Sequence, residues 1–324
     1  MKNFFMASAN TSIGFNNNFD SINKEKNAFT YILKGGPGTG KSTLMKKVGD
    51  YFSNKNISVE YFYCSSDYKS LDGIRVKNIS IVDGTAPHVT EASLPGVKEK
   101  IVNIGKHIGD NVALHKKEIE NLIAQKSKYY KEAYLYFGLI SNLIKLETQN
   151  KKLEKNNLKI IENINLKKQK NKGIERKLFS SFICSQGIKN LYKKNSFENI
   201  IQLQGNIVIN KNVFQYLKNK LKEKNDSFIT FWSILSPDLI EAVYIKSTKT
   251  LVVSEDAYNS NLNSFKNNIL LKQIIGKIAF CLKKAMEYHK KIEAIYVPQV
   301  NFASISKLTE KLILEIEQKI NPWY

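Results

Sequence analysis

At 324 residues and a net charge of +21, the chain is long enough for one large domain or two, and its surplus of lysine favours polyanionic partners. Arg75 and Arg176 are the only arginines, so bidentate clamps on phosphates or guanine edges are scarce, and the charge is weak evidence for sequence-specific nucleic-acid reading. Cys64, Cys184 and Cys281 lack metal-ligand spacing and read as reduced thiols. No run approaches the ~20 apolar residues of a membrane span, and Met1–Met6 passes straight into polar residues without a secretory core, so a cytoplasmic protein with no membrane partner is expected.

The first predicted element is a buried strand, Ala28-Phe29-Thr30-Tyr31-Ile32-Leu33. Gly35-Gly36-Pro37-Gly38-Thr39-Gly40-Lys41-Ser42-Thr43 comes after it, a complete G-x-x-x-x-G-K-[ST] loop. A helix over Ser42 to Phe52 comes next, with Leu44, Val48 and Phe52 at helical spacing. Strand, glycine-rich turn and helix form the context in which such a loop cradles phosphate. Glycines let the backbone N–H groups converge on phosphate oxygens, and the helix start adds the positive end of its dipole. Lys41 would meet the β- and γ-phosphates, and the Ser42 hydroxyl would ligate Mg²⁺. The rival reading is a plain glycine-rich turn.

Ile57–Tyr63 reads as a second strand, leading into Cys64-Ser65-Ser66-Asp67. Asp67 and Asp72 are candidates for a metal shell or a base, although Asp72-Gly73 reads better as a turn. A third strand, Ile79–Val82, ends in Asp83-Gly84-Thr85. A carboxylate at the carboxyl end of a strand beside the loop can hold Mg²⁺, so Asp83 is expected in the metal site; a turn-former before Gly84 is the alternative. His88, in Thr85-Ala86-Pro87-His88, would sit at the same sheet edge, to orient water or accept a proton, or would be a loop histidine without chemistry.

From Pro95 the pattern turns helical, with Leu139, Ile140, Leu143, Ile144 and Leu146 on one stripe, and Lys167–Gly173 reads as a solvated linker. The region 97–173 is either a lid or a helical pair packed on the second half of the chain. That second half repeats the plan of the first. Ile201–Asn212 aligns with Tyr31–Ser42, placing Gly205 under Gly35 and Lys211 under Lys41. Phe228–Trp232 matches Val59–Tyr63, and Val243–Lys246 matches Ile74–Lys77. Upstream, Phe5, Thr11 and Gly14 are echoed by Phe179, Ser185 and Gly187. In the second loop Gly36, Gly38 and Gly40 become Asn206, Val208 and Asn210, and Ser42 becomes Asn212; the β-branched residues resist the turn a phosphate nest needs. Helices over Ile269–Glu287 and Ser304–Ile320 close the chain.

The expected fold is α/β, a P-loop NTPase-type parallel sheet flanked by helices, duplicated, with substantial helical segments. Residues 1–173 would form the loop-bearing domain with its helical extension, and 174–324 a degenerate second copy. Tyr31–Thr43, Cys64–Asp67 with Ser70–Gly73, Asp83–His88, Tyr288–Tyr296 and Asn301-Phe302 together resemble a little-studied bacterial family of duplicated P-loop ATPases. The resemblance covers nearly the whole chain. It implies ATP binding by two NTPase-like halves, and Gly205–Asn212 departs from it. The expected activity is Mg²⁺-dependent ATP hydrolysis. Lys41 and the loop Gly35–Thr43 would bind nucleotide, Ser42 and Asp83 the metal, and His88 would orient the attacking group. No N-K-x-D segment reads guanine, which favours ATP. The alternatives are a kinase for a nucleotide or small metabolite, with Arg75 as its one clamp in the first half, and an ATP-switched protein binding nucleic acid or another partner.

Overall fold

Strand β1 (Lys2–Phe5) leads through the hairpin β2 (Ser8–Thr11) and β3 (Gly14–Asn17) to β4 (Phe29–Lys34) and helix α1 (Lys41–Asn54). Next come β5 (Val59–Tyr63), β6 (Leu71–Val76), β7 (Ile79–Asp83) and β8 (Glu99–Asn103). These elements come from a computed structural model describing residues 2–184 and 186–320, so Ser185 lies outside the described residues. The chain forms two compact units: Met1–Ala7 with Asn17–Lys131 and Leu282–Tyr324, and Ser8–Asn16 with Glu132–Cys281.

In the first unit the strands stand in the order β1-β5-β6-β7-β4-β8. The sheet is mixed, where a parallel one was expected. β1/β5, β7/β4 and β4/β8 are parallel, but β6 runs antiparallel to both of its neighbours. The connections dictate this. Only Lys77 and Asn78 separate β6 from β7, with Lys77 at φ 52°, and so short a turn can join only antiparallel strands. β8 falls in a stretch read as helical; its Lys100-Ile101-Val102 carries little periodicity, and pairing with β4 decides its state. Tyr31 and Leu33 of β4 share one core with Leu44, Met45, Val48 and Phe52 of α1, which packs along β5 and β6. Gly49 lets α1 approach the sheet, since a Cβ there would lie 2.7 Å from the Tyr61 ring.

The remaining elements are α2 (Lys116–Lys145), α3 (Lys151–Glu162), β9 (Glu175–Leu178), β10 (Ser181–Cys184), β11 (Gly187–Asn190) and β12 (Asn199–Leu203). They continue with α4 (Lys211–Glu223), β13 (Phe228–Trp232), β14 (Ile240–Ile245), β15 (Thr250–Ser254), α5 (Glu255–Asn259), α6 (Asn268–Tyr296) and α7 (Phe302–Ile320). The sheet of the second unit, taken from β9, runs β9-β13-β14-β15-β12. Its pairings are parallel, antiparallel, antiparallel, parallel, the same sequence of directions as β1-β5-β6-β7-β4. The expected division at residue 173 follows chain order, whereas the compact units do not. α3 packs along α4 within the second unit, and α7 along α1 within the first. Ile305, Leu312 and Ile316 of α7 belong to the first unit's core; Ile161 of α3 belongs to the core around Val213, Phe214 and Leu217. Among the described residues no helix is long and apolar enough to cross a membrane.

Both sheets carry a bulge at one place. Pairing passes from Phe62–Gly73 to Tyr63–Leu71, skipping Asp72, and from Phe231–Ala242 to Trp232–Ile240, skipping Glu241. A bulge turns its extra residue out of the pleat. Glu241 is buried and accepts hydrogen bonds from Ser181 Oγ at 2.6 Å and Tyr192 Oη at 2.8 Å. Burial raises its carboxyl pKa from 4.5 to about 7, against the pull of those two donors. The folded chain therefore holds a proton that the unfolded chain releases between pH 4.5 and about 7. Stability contributed by this group is full below that window and is lost as pH rises through it, by on the order of 3 kcal/mol. In Glu241→Gln that slope should vanish, since the amide oxygen still accepts from both hydroxyls. Urea midpoints of the two proteins across pH 5 to 8 check this, and parallel pH dependences would contradict it.

Candidate functional site

The loop between β4 and α1 is shaped by two left-handed residues, Gly38 at φ 69° and Gly40 at φ 83°, the second standing as the N-cap of α1. A side chain at either would strain the backbone. Two of the glycines also admit close neighbours. A Cβ on Gly36 would lie 2.7 Å from the Tyr296 ring, and one on Gly38 would lie 2.8 Å from Val297 Cγ2. The end of α6 and the turn after it thus lie against the loop within the first unit. This contact is a second reason for glycine there, independent of any ligand.

Lys41 opens α1 and folds back over the loop. Its Nζ donates to Gly35 O at 2.5 Å and Gly36 O at 2.8 Å, and stands 3.6 Å from Asp83 Oδ2. The side chain is 10% exposed. Burial lowers the Lys41 pKa from the ordinary lysine value, and Asp83, Glu293 and Asp72 offset part of that effect. An ammonium so desolvated is a strong partner for an anion that arrives beside it. Among the described residues, the amides of Gly38, Thr39, Gly40 and Lys41 meet no side-chain acceptor. They begin a 14-residue helix whose dipole points its positive end at the loop.

Asp83 ends β7, and β7 is the parallel neighbour of β4, with Leu33 beside Asp83. Its Oδ1 accepts from Thr85 N at 2.8 Å. Thr85 also ties the two strand ends together: its hydroxyl lies 2.9 Å from Gly35 O and 3.2 Å from Gly35 N. Ser42 Oγ accepts from Leu71 N at 2.9 Å, so the first residue of β6 anchors the hydroxyl at the start of α1. Thr39 Oγ1 donates to Gly36 O at 2.8 Å. Lys41, Ser42 and Asp83 thus meet at one sheet edge.

His88 is brought to the same edge but faces elsewhere. It is buried, its Nε2 is 3.4 Å from Asp72 Oδ1, and its ring stacks on Phe19 with centroids 5.4 Å apart. Asp72, expected in a turn, lies in β6 as its bulged residue. A D-G pair suits a bulge as well as a turn, and no local signal separates them. Asp67 caps its own turn, accepting from Lys69 N and Ser70 Oγ. Arg75 is committed to Glu60, Nε to Oε2 at 3.0 Å, and to Glu25 at 3.5 Å. Sequence reasoning gave no site role to Thr85, Glu293, Tyr296 or Val297, although the resemblance took in the first three. The last three reach the loop from the far end of the chain, a separation that periodicity does not span.

The aligned loop of the second unit is filled by its own side chains. Asn206 Oδ1 accepts from Val208 N at 3.0 Å and Ile209 N at 3.2 Å, and Gly205 N donates to Glu255 Oε2 at 3.4 Å. Asn210 is buried between Asn157, Gln204 O and Ser254. Asn212 donates to Glu154, and Lys211 is exposed. Amides that would face a phosphate are already satisfied by carbonyl and carboxylate oxygens.

A family model described as Nephrocystin 3, N-terminal, matches residues 14–135. That span holds the loop, α1 and β5 to β8. No curated protein and no solved structure matches the chain.

Proposed function

We propose that the first unit is a P-loop NTPase-type fold that binds ATP with Mg²⁺ and hydrolyses it, and that the chain arose by duplication, its second loop having lost the site. The observation that carries this reading is one constellation: Lys41 at the start of α1, buried in its glycine loop, with Asp83 at the end of the adjacent parallel strand 3.6 Å away. Loop amides and Lys41 hold the β- and γ-phosphates. Ser42 and Asp83 would hold Mg²⁺, which would supply charge neutralisation at the phosphates. Hydrolysis then rests on positioning and charge neutralisation. His88, expected to orient water, turns its Nε2 to Asp72, so the reading assigns it no step in hydrolysis. The like order and direction of the two sheets, and the paired bulges at Asp72 and Glu241, support duplication.

Transfer to a nucleotide or small metabolite is disfavoured by the commitment of Arg75 to Glu60 and Glu25. Phosphate release from ATP, with Mg²⁺ and with EDTA, tests the reading. Metal-dependent turnover is expected, and an absence of both ATP binding and turnover would overturn it.

A further inference from the structure

Three side chains outside the loop converge where β5, β6 and β7 reach the same sheet edge. Cys64 directly follows β5, Asp72 is the bulged residue of β6, and His88 lies in the turn after β7. Their ligand-type atoms, a thiol sulfur, a carboxylate oxygen and an imidazole nitrogen, all lie within 4.8 Å of one another. Asp72 and His88 are 3% and 7% exposed, and Cys64 is half-buried. Backbone bonds fix each position: Cys64 N donates to Ser70 O at 3.0 Å, and His88 N to Thr85 O at 2.8 Å. Phe19, stacked on the His88 ring, sets its plane.

We infer that Cys64, Asp72 and His88 form a binding site for a borderline-soft divalent cation, best matched by Zn²⁺, distinct from the Mg²⁺ position at Ser42 and Asp83. The donor set decides the metal. Thiolate with imidazole and one carboxylate suits Zn²⁺, whereas Mg²⁺ takes an octahedron of hard oxygens. Tetrahedral zinc with bonds of about 2.0–2.3 Å separates its ligand atoms by about 3.3–3.8 Å. The His88–Asp72 distance of 3.4 Å already lies in that range. With all three atoms within 4.8 Å of one another, Cys64 Sγ has at most about 1.3 Å to move to reach the ~3.5 Å sulfur-to-ligand separation of such a site, within the reach of a χ1 adjustment. Three protein ligands leave the fourth position to water. Binding replaces the Cys64 proton, which passes to solvent, and involves no change of oxidation state. The cation would tie β5 and β6 to the 85–88 turn. That turn begins with Thr85, which holds Gly35, so the site braces the loop edge from the side away from β4.

The test uses the full chain and the metal alone, without nucleotide, so its outcome is independent of the ATP reading. Metal-free protein is titrated with Co²⁺ and then Zn²⁺, following the sulfur-to-cobalt charge-transfer band and the zinc content after gel filtration. One equivalent per chain is expected, with the band displaced by Zn²⁺. Affinity should fall at least 100-fold in Cys64→Ser and in His88→Gln, and should be unchanged in Cys184→Ser and Cys281→Ser. Circular dichroism of each variant separates loss of metal from loss of fold, and His88→Gln serves if Cys64→Ser does not fold. No binding by the wild-type chain at micromolar metal, or a thiolate band that survives in folded Cys64→Ser, would overturn the inference and leave the three side chains as a hydrogen-bonded cluster only.

Discussion

Lys41→Ala is expected to abolish measurable ATP binding while leaving the protein folded. The Lys41 ammonium is the one cation buried in the loop, and its present partners are the carbonyls of Gly35 and Gly36 and the Asp83 carboxylate. Bound phosphates would take over that charge. Truncating a desolvated charge that faces an anion costs on the order of 2–5 kcal/mol, roughly 30-fold or more in Kd. The fold should survive because Leu44, Met45, Val48 and Phe52 seat α1 in the core without help from Lys41. Calorimetric titration of a non-hydrolysable ATP analogue, with a thermal melt of each protein, checks both halves of the expectation. Unchanged affinity would remove the phosphate role from this loop.

The second large effect is expected at Asp83. Asp83→Asn should lower Mg²⁺-dependent turnover by roughly 10²-fold, about 3 kcal/mol of transition-state stabilisation, with a much smaller change in analogue binding. The separation arises from the two oxygens. Oδ1 accepts from Thr85 N, which in turn holds Gly35, and an asparagine oxygen can keep that bond. Oδ2 pairs with Lys41 at 3.6 Å and would be the oxygen offered to a hard cation, which a neutral amide serves poorly. Phosphate release at varied Mg²⁺ gives the answer. Wild-type turnover with wild-type metal dependence would make Asp83 a structural cap on the 84–85 turn.

The loop and its flanks were legible because their signals are local. Ala28–Leu33 is β-branched and aromatic, Gly38 and Gly40 sit where positive φ is needed, and β13 falls on Phe228–Trp232, the run matched to Val59–Tyr63. Antiparallel β6 was hidden because an apolar run carries no direction; the two-residue connection at Lys77-Asn78 was the available clue. Strand β8 was hidden because tertiary pairing with β4, not its own composition, makes it a strand. The cover over Gly36 and Gly38 was hidden by separation along the chain. Cys64, Asp72 and His88 show no motif spacing because each comes from a different strand end. Their convergence depends on strand order and on a bulge, neither of which leaves a pattern in the sequence.

The central claim is one working nucleotide site, in the first loop and not the second. Asn206, Glu255 and Asn210 already occupy the polar groups of the second loop, and Lys211 is exposed. Equilibrium titration of the wild-type chain, Lys41→Ala and Lys211→Ala with a non-hydrolysable ATP analogue and Mg²⁺ counts the sites directly. One site per chain is predicted, lost in Lys41→Ala and unchanged in Lys211→Ala; two sites per chain, or one that survives Lys41→Ala and fails in Lys211→Ala, would contradict the account.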